Sequence, residues 1–333
     1  MYYSPPMSQS STLASTPTSI LRLGSRGSPL ALVQARQAQS AIAQACGVAP
    51  EAIEIKVIRT TGDKIQDVPV QGRPVQDRPL ADASGKGLFT KEIEDALLAG
   101  AIDIAVHSSK DLPAFLPAGL MLAAFLPRED PRDALVSGKA NSLRELPHNA
   151  LVGTSSPRRQ ALLKRVRPDL RIAPMRGNVE TRLRKIEAGE VDATILAAAG
   201  LKRLGLFSAA SAVLEVEEFL PAAGQGAIAL ETRADDDKIR ALAAAVDDAD
   251  TATALAAERA FLAALGGSCR TPIAGHAQIK GDTVSFHGLI ATIDGRDVVE
   301  VFRQGNRADA TALGADAGHD VKARAGAGFF VED

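Results

Sequence analysis

The sequence predicts an α/β protein with two lobes built on mostly parallel sheets, followed by a small α+β domain. Short apolar runs alternate with helical patterns from residue 20 onward, as they do in βαβ units. The chain has 333 residues, whereas a typical domain has roughly 150. Toward the carboxyl end the pattern changes to stretches in which apolar and polar residues alternate, which predicts a separate unit.

The first lobe is predicted from buried apolar runs and amphipathic segments. Its expected elements are the strands 20–23, 53–58 and 102–106 and the helices 29–46 and 90–98. On the second of these helices, Ile93 and Leu97 fall on one face.

The second lobe begins near Arg132 and also alternates strands with helical segments. Its expected strands are 151–152, 171–173 and 194–196, and a further strand is expected at 227–230. The small domain is predicted from an Ala-rich helix at 251–265 and from the alternating stretches 284–290 and 298–302. From residue 308 onward the pattern favours neither helix nor strand.

Composition and charge narrow the class of protein. The formal net charge of −2 gives no reason to expect nucleic acid or an anionic membrane as a partner. The two cysteines, Cys46 and Cys269, lie far apart, which predicts neither a disulfide framework nor a thiolate metal cluster. Residues 1–19 are rich in Ser, Thr and Pro, so we expect a disordered tail and not a targeting signal. No apolar run approaches the ~20 residues of a membrane span, and we expect a cytoplasmic protein.

Cationic and hydroxyl-bearing residues follow most of the predicted strands. In open parallel sheets, ligands bind outside the carboxyl ends of the strands, and arginine forks bind carboxylates through two hydrogen bonds. The sequence therefore predicts an anion-binding cleft for a polycarboxylate or a phosphate. The residues concerned are Arg26, Ser28, Lys110, Ser156, Arg158, Arg159, Arg176, Arg182 and Arg203.

Two helix starts within this set have two interpretations. Ser28 and Ser156 each precede a proline and can cap a helix, which leaves backbone N–H groups free to receive an anion. Alternatively, the Ser-Pro pairs only start helices, and each arginine is a solvated surface residue.

One acid and one thiol are also ambiguous. Asp111 stands as the one acid among the cations, so it either pairs structurally with Lys110 or an arginine, or faces a cationic reaction centre. Cys269 lies in a Gly-rich loop beside Arg270, which suits a reactive thiol but does not require one. Cys46 lies at the end of an Ala-rich helix and is expected to pack.

Metal and nucleotide cofactors are not expected. The five histidines show no HxxxH or HExxH spacing, and no Cys-x-x-Cys occurs. The chain has neither a Walker loop nor a complete dinucleotide-binding fingerprint.

Seven motifs, in order along the chain from about Leu21 to Pro272, resemble those of the porphobilinogen deaminase (hydroxymethylbilane synthase) family. Each motif alone is modest, but seven in sequence are highly specific. They are RGSPLA (26–31), GKGLF (85–89), HSSKDLP (107–113), GTSSPRR (153–159), RGNV (176–179), PAAGQG (221–226) and GSC (267–269).

The resemblance implies two lobes similar to periplasmic binding proteins, with mixed, mostly parallel sheets, and a small C-terminal α+β domain. The implied bounds are 20–126 with 227–245 for the first lobe, 132–220 for the second and 249–333 for the third domain. The implied enzyme is a transferase of tetrapyrrole biosynthesis that joins four porphobilinogen molecules head to tail with loss of ammonia. Water then releases hydroxymethylbilane. The growing chain starts from a dipyrromethane primer held as a thioether, here on Cys269.

The resemblance also implies roles for individual residues. Asp111 would be catalytic and would stabilise the cationic intermediate left when ammonia departs. The residues expected to hold the cofactor are Cys269, Lys110, Asp111, Ser156, Arg158 and Arg159. Those expected to bind substrate are Arg26, Ser28, Lys86, Phe89, Arg176, Arg182 and Arg203.

The expected partner is the small molecule porphobilinogen, and the expected form is a monomer. The segment 64–84 is longer than the family pattern and is expected to cover the cleft as a lid. The alternative function is a two-lobed anion- or solute-binding module without catalysis, which would not need a lone thiol in a Gly-rich loop.

Overall fold

A computed structural model describes residues 21–66, 88–266 and 271–330. In these ranges the strands are, in chain order, β1 (Leu21–Ser25), β2 (Ile53–Val57), β3 (Ile104–Ser108), β4 (Leu120–Phe125), β5 (Asp133–Val136), β6 (Leu151–Gly153), β7 (Arg171–Ala173), β8 (Ala193–Ala197), β9 (Ala212–Val213), β10 (Ile228–Arg233), β11 (Ile273–Lys280), β12 (Thr283–Ala291) and β13 (Val298–Asn306). The α-helices of the same ranges are α1 (Pro29–Cys46), α2 (Thr61–Gln66), α3 (Lys91–Leu98), α4 (Pro157–Val166), α5 (Val179–Glu187), α6 (Ala198–Arg203), α7 (Asp237–Ala244), α8 (Ala249–Ala264) and α9 (Ala310–Arg324).

The first two sheets share one arrangement. The strand order is β2-β1-β3-β10-β4 in the first sheet and β7-β6-β8-β5-β9 in the second. In each, three parallel strands are followed by an antiparallel strand, β10 or β5, and the last strand pairs antiparallel to that one. Four of the five strands in each sheet therefore run in the same direction, which confirms the predicted mixed, mostly parallel α/β class.

Two crossing segments connect the lobes. The chain leaves the first sheet after β4 and enters the second at β5, and it returns from β9 to β10. The strand expected at 227–230 is β10, and it lies in the first sheet between β3 and β4. The exact domain borders stay a prediction.

The third sheet is antiparallel, with the order β11-β12-β13, and α8 and α9 pack against it. Residues 310–324, whose sequence pattern is ambiguous, form α9. Two glycines explain the weak pattern, because they contact α8 where an apolar residue would be expected. A Cβ on Gly314 would come within 2.1 Å of the Ala257 carbonyl oxygen, so only glycine allows this approach of the two helices.

Local signals account for α1, whose observed bounds equal the expected ones. Ser28 caps its start by accepting a 3.3 Å hydrogen bond from the backbone N–H of Ala31, and Pro29 occupies the first helical position. Gly47, with φ of 66°, ends the helix in the left-handed conformation. Cys46 packs against the core of the first lobe, as expected.

Some predicted features lie outside the described residues. These are the tail 1–19 and the segment 67–84, while residues 64–66 form the last turn of α2. Among the described helices, none is both long enough and apolar enough to cross a membrane. No cluster of His, Cys, Asp and Glu suited to a metal ion occurs in the described part of the chain.

Candidate functional site

A pocket opens at the carboxyl ends of β1 and β3, beside the start of α1. It encloses about 440 Å³ of empty space, part of it open to solvent. Its walls include Arg26, Ser28, Phe89 and Asp111. Four of the residues predicted from the sequence are thus brought together around one cavity.

Arg26 is held on two sides in this pocket. Its guanidinium carbon lies 4.1 Å from the centre of the Phe89 ring, a cation–π contact. Its Nε and Nη2 donate hydrogen bonds to Oδ1 of Asp63 at 3.0 and 2.5 Å. Burial raises the pKa of Asp63, but the hydrogen bonds from Arg26 and Thr60 outweigh it and hold the pKa below its usual value.

Asp111 ends a single 3-10 turn, Ser109–Asp111, that directly follows β3. A hydrogen bond to a neighbouring segment fixes this turn, because the N–H of Ser109 donates to the carbonyl of Ala227 at 3.0 Å. Gly224 packs against the same turn with φ of +76°, and a Cβ there would lie 2.8 Å from the Ser109 hydroxyl. The Asp111 side chain borders the pocket. Within the described residues, no ion pair joins it to Lys110 or to an arginine, so the structural interpretation of Asp111 lacks its expected partner.

Lys110 points toward the second lobe and the crossing segment. Its ammonium donates a 3.2 Å hydrogen bond to the side-chain oxygen of Gln225, whose amide nitrogen donates to the Pro131 carbonyl at 2.7 Å. By surface area Lys110 is exposed, but many protein atoms lie around its side chain, which reduces the hydration of its ammonium group. This loss of hydration, followed by the nearby charge of Arg159, lowers the pKa of Lys110 to about 8.

Arg158 and Arg159 lie in the first turn of α4, and both donate to one buried acid on β5. Asp133, fully buried, accepts hydrogen bonds at 2.7 Å from Nη2 of each arginine. Burial raises the pKa of Asp133, but the charges of Arg158, Arg159 and Lys110 lower it to about 2. The expectation that Asp111 is the one acid among these cations is therefore wrong, since Asp133 pairs with Arg158 and Arg159 and Asp63 pairs with Arg26.

The remaining predicted arginines have no carboxylate partner in the described residues. Arg182 donates from Nε to the Gly177 carbonyl at 2.9 Å, and Arg203 donates from Nη2 to the Gly226 carbonyl at 2.8 Å. Burial, with the charge of Arg159, lowers the pKa of Arg182 to about 10. The Nε of Arg176 is buried and finds no hydrogen-bond acceptor. Such donors are the groups that an anionic ligand would satisfy.

The predicted serines both cap helices. Ser28 caps α1, and the Ser156 hydroxyl accepts from the N–H of Arg159 at 3.4 Å at the start of α4. Capping leaves each hydroxyl hydrogen free to be donated to a ligand. Lys86 and Cys269 lie outside the described residues, so their predicted positions stay predictions.

Three residues of the site were not singled out from the sequence. Asp133, Asp63 and Gln225 each hold a predicted cation, but each partner lies 25 or more positions away in the chain. No local spacing marks them. Only Gln225 lies within a recognised motif, the PAAGQG segment.

Two family models match the chain. One is described as porphobilinogen deaminase, dipyromethane cofactor binding domain, and matches residues 21–241. The other, porphobilinogen deaminase, C-terminal domain, matches residues 252–323.

Curated relatives extend these matches to nearly the whole chain. A porphobilinogen deaminase of Nitrobacter winogradskyi is 59% identical over 93% of this chain and 95% of the relative. A second, from Nitrobacter hamburgensis, is 58% identical over the same shares. Among solved structures, a nutrient binding protein from Burkholderia cenocepacia bound to methionine aligns with 68% of this chain and 91% of its own, at 16% identity and a TM-score of 0.41. On the family models and the curated relatives, the chain belongs to the porphobilinogen deaminase family.

Proposed function

We propose that this chain is a hydroxymethylbilane synthase, a transferase that condenses four porphobilinogen molecules head to tail with loss of ammonia and releases the product with water. The observation that carries the proposal is the pocket in which Asp111 and Arg26 face the same cavity, with further cations close by. The pocket therefore combines cations that can bind an anion with one acid, Asp111, that forms no ion pair with the cations among the described residues.

Charge supports the binding role. Each pyrrole of the substrate carries an acetate and a propionate, so every added ring brings two negative charges. The predicted substrate residues Arg26, Arg176, Arg182 and Arg203 supply the countercharge, and the hydroxyl of Ser28 adds a donor. Phe89 supports Arg26 from one face. Lys86 completes the predicted set.

The residues present also suit the dipyrromethane cofactor of the family. The cationic cluster of Lys110, Arg158 and Arg159 exceeds the single charge of Asp133, which leaves positive charge for the carboxylates of the cofactor. In our proposal Lys110, Asp111, Ser156, Arg158 and Arg159 hold the cofactor, and Cys269 anchors it as a thioether. When bound, the cofactor supplies the pyrrole carbon to which the first substrate is added.

Asp111 has the chemical role in this proposal. Loss of ammonia leaves the substrate with a cationic methylene-pyrrole, and a carboxylate beside it stabilises the positive charge. The same carboxylate can accept the ring proton that is lost after carbon–carbon bond formation. Arg26 and Ser28 line the same pocket and orient the carboxylates of the incoming ring.

Incubation of the purified protein with porphobilinogen tests the activity. We expect ammonia and a linear tetrapyrrole in a ratio of four to one, measured by an ammonia assay and by mass spectrometry. A two-lobed binding module would instead retain unchanged porphobilinogen, and recovery of intact substrate with no ammonia would contradict the proposal.

The proposal further includes a monomer that resides in the cytoplasm, acts on a free small molecule and binds no nucleic acid. It also keeps the domain borders 20–126 with 227–245, 132–220 and 249–333. Light scattering of the purified protein checks the monomeric state. Limited proteolysis followed by mass analysis checks the borders.

A further inference from the structure

Asp63 belongs to none of the predicted motifs, yet it holds Arg26, a residue that lines the pocket. Its Oδ1 accepts both the Nε and the Nη2 hydrogen bonds of Arg26. We propose that Asp63 is a positioning residue, which fixes the guanidinium of Arg26 so that it can bind a carboxylate of the incoming pyrrole. This inference rests on the proposed substrate-binding role of Arg26.

The donors of Arg26 divide into two groups. A guanidinium has five N–H donors in a rigid plane. Asp63 takes the donor on Nε and one on Nη2, and Phe89 covers one face of the plane. The Nη1 donors have no hydrogen-bond partner in the described ranges, and Arg26 borders the pocket. The edge of the guanidinium that carries Nη1 is therefore available to a ligand.

Asp63 is itself held in place. Its other oxygen, Oδ2, accepts from the backbone N–H of Thr60 at 3.2 Å and from the Thr60 hydroxyl at 2.8 Å. Thr60 is fully buried. Both carboxylate oxygens of Asp63 are thus engaged, and its lowered pKa keeps it ionised at neutral pH.

The two supports of Arg26 are coupled to each other. Gly62 packs directly against the Phe89 ring, where a Cβ would lie 2.1 Å from a ring carbon. The N–H of Gly62 donates to the Leu88 carbonyl at 2.9 Å. Asp63 and Phe89 therefore belong to two adjoining segments that together hold Arg26. Binding groups in proteins are commonly held in this way by neighbouring residues that do not touch the ligand.

If Asp63 competed with substrate for Arg26, its removal would change the KM in the opposite direction. If Asp63 were an internal carboxylate that competes with substrate, its removal would free Arg26 and lower the KM. Asp63 binds only the edge of the guanidinium that carries Nε and Nη2, and the hydrogen bond from Thr60 holds the carboxylate of Asp63 in place. The geometry therefore favours positioning, for which removal of the charge raises the KM.

The chain offers a matched control in Asp103. Its carboxylate accepts hydrogen bonds from Nε and Nη2 of Arg22 at 2.9 and 2.6 Å, and Arg22 lies in β1, the strand that Arg26 follows. The side-chain exposure of Asp103 is 13%, against 14% for Asp63. The Arg22–Asp103 pair does not border the pocket. Asp103→Asn thus removes a similar ion pair without touching Arg26.

The test is steady-state kinetics of the primer-loaded enzyme with porphobilinogen for Asp63→Asn, Asp103→Asn and Arg26→Gln. For Asp63→Asn we expect the KM to rise on the order of tenfold, the lower end of what outer partners of a binding group usually contribute. The kcat should stay within about twofold, and primer loading should be complete. Asp103→Asn should keep the wild-type KM, and Arg26→Gln should raise it at least as much as Asp63→Asn.

Two results would overturn the inference in different ways. An unchanged or lowered KM in Asp63→Asn, beside a raised KM in Arg26→Gln, would refute positioning and leave the role of Arg26 intact. An unchanged KM in Arg26→Gln would refute the substrate role of Arg26 itself. Melting temperatures of all three variants, measured in parallel, separate these outcomes from a general loss of stability, because destabilisation alone lowers the active fraction without moving the KM.

Discussion

The guanidinium of Arg159 donates two hydrogen bonds to one oxygen of Asp133, from Nε at 3.1 Å and from Nη2 at 2.7 Å. The contact fixes the orientation of Arg159 in the first turn of α4. Arg158 is fixed as well, by Asp133 and by the Leu220 carbonyl at 2.7 Å. Both predicted cofactor arginines are therefore rigid before any ligand binds.

Replacement of either arginine should prevent primer attachment. We expect Arg158→Gln and Arg159→Gln to be purified without the two-pyrrole adduct, because a charge-assisted pair lost from a buried site costs about 2 to 5 kcal/mol of binding. Intact mass spectrometry measures the loading. Arg203→Gln is the control, since Arg203 is expected to act on substrate, so this variant should carry the adduct and stall in elongation. Full loading in all three variants would contradict the assignment of Arg158 and Arg159.

Asp111 should affect chemistry more than stability. Asp111→Asn keeps the shape of the side chain and removes the charge that a cationic intermediate would require. Preorganised charge of this kind is typically worth ~3 to 4 kcal/mol, so the single-turnover rate should fall by roughly two to three orders of magnitude. The melting temperature should not change, because no ion pair of Asp111 with the described cations is lost. A near-normal rate with a lowered melting temperature would support the structural interpretation instead.

Lys110 should make primer loading sensitive to pH near 8, because it is one of the residues proposed to hold the cofactor. Its pKa is lowered from 10.5 to about 8 by loss of hydration and by Arg159, so its positive charge is lost as the pH rises through that value. We expect the rate at which the apo-protein gains the two-pyrrole adduct from porphobilinogen, followed by intact mass, to fall above pH 8 in the wild type. The same step should be absent in Lys110→Arg, whose charge persists. An identical loading profile in the two proteins would exclude Lys110 as the titrating group.

The same shift has a consequence for stability. The unfolded chain binds the Lys110 proton more tightly than the folded protein, so protonation opposes folding below pH 8. Relief of this penalty should make the wild type gain stability between about pH 8 and 10.5 relative to Lys110→Met. Urea unfolding across this range measures the difference, and a constant difference would argue against a lowered pKa.

Glu258 joins the crossing segments to the third domain. It is fully buried and accepts hydrogen bonds from Arg128 at 2.6 Å, from the N–H of Gly224 at 2.6 Å and from the N–H of Ala277 at 2.8 Å. Glu258→Gln leaves Arg128 without its charge partner and should lower the free energy of unfolding by about 3 to 5 kcal/mol at pH 7. Denaturant unfolding tests this loss.

Acid should reduce the effect of this substitution. Burial raises the pKa of Glu258, but Arg128 and the neighbouring His276 lower it to about 2, below the ordinary 4.5. The stabilisation is therefore complete above about pH 4.5 and is lost as the pH falls toward 2. Glu300→Gln, at a half-exposed pair with Arg165, should cost less than about 1 kcal/mol. Equal losses in the two variants would contradict the role of Glu258.

Local signals in the sequence predicted the parts of the fold that depend on neighbouring residues. The bounds of α1 follow from Ser28, Pro29 and Gly47, and the apolar runs located most of the buried strands. Four strands, β4, β5, β9 and β11, were not predicted, although β4 (LMLAAF) and β5 (DALV) contain apolar runs. The helix α9 was not predicted because it carries glycines on its packed face.

The candidate site shows the same division. The cations were predicted because each follows a strand, and Arg26 and Asp111 indeed border one pocket. The acids that hold them were missed, because Asp63 lies 37 residues from Arg26 and Asp133 lies 25 residues from Arg158. Partners so far apart in sequence become visible only when the fold brings them together.

The covalent cofactor on Cys269 is the central claim, and the intact mass of the purified protein tests it most directly. We predict that the wild type is heavier than its sequence by one two-pyrrole unit. The added mass should be absent from Cys269→Ser and retained in Cys46→Ser, whose thiol packs against the core of the first lobe. An unmodified mass for active wild-type protein would contradict the account.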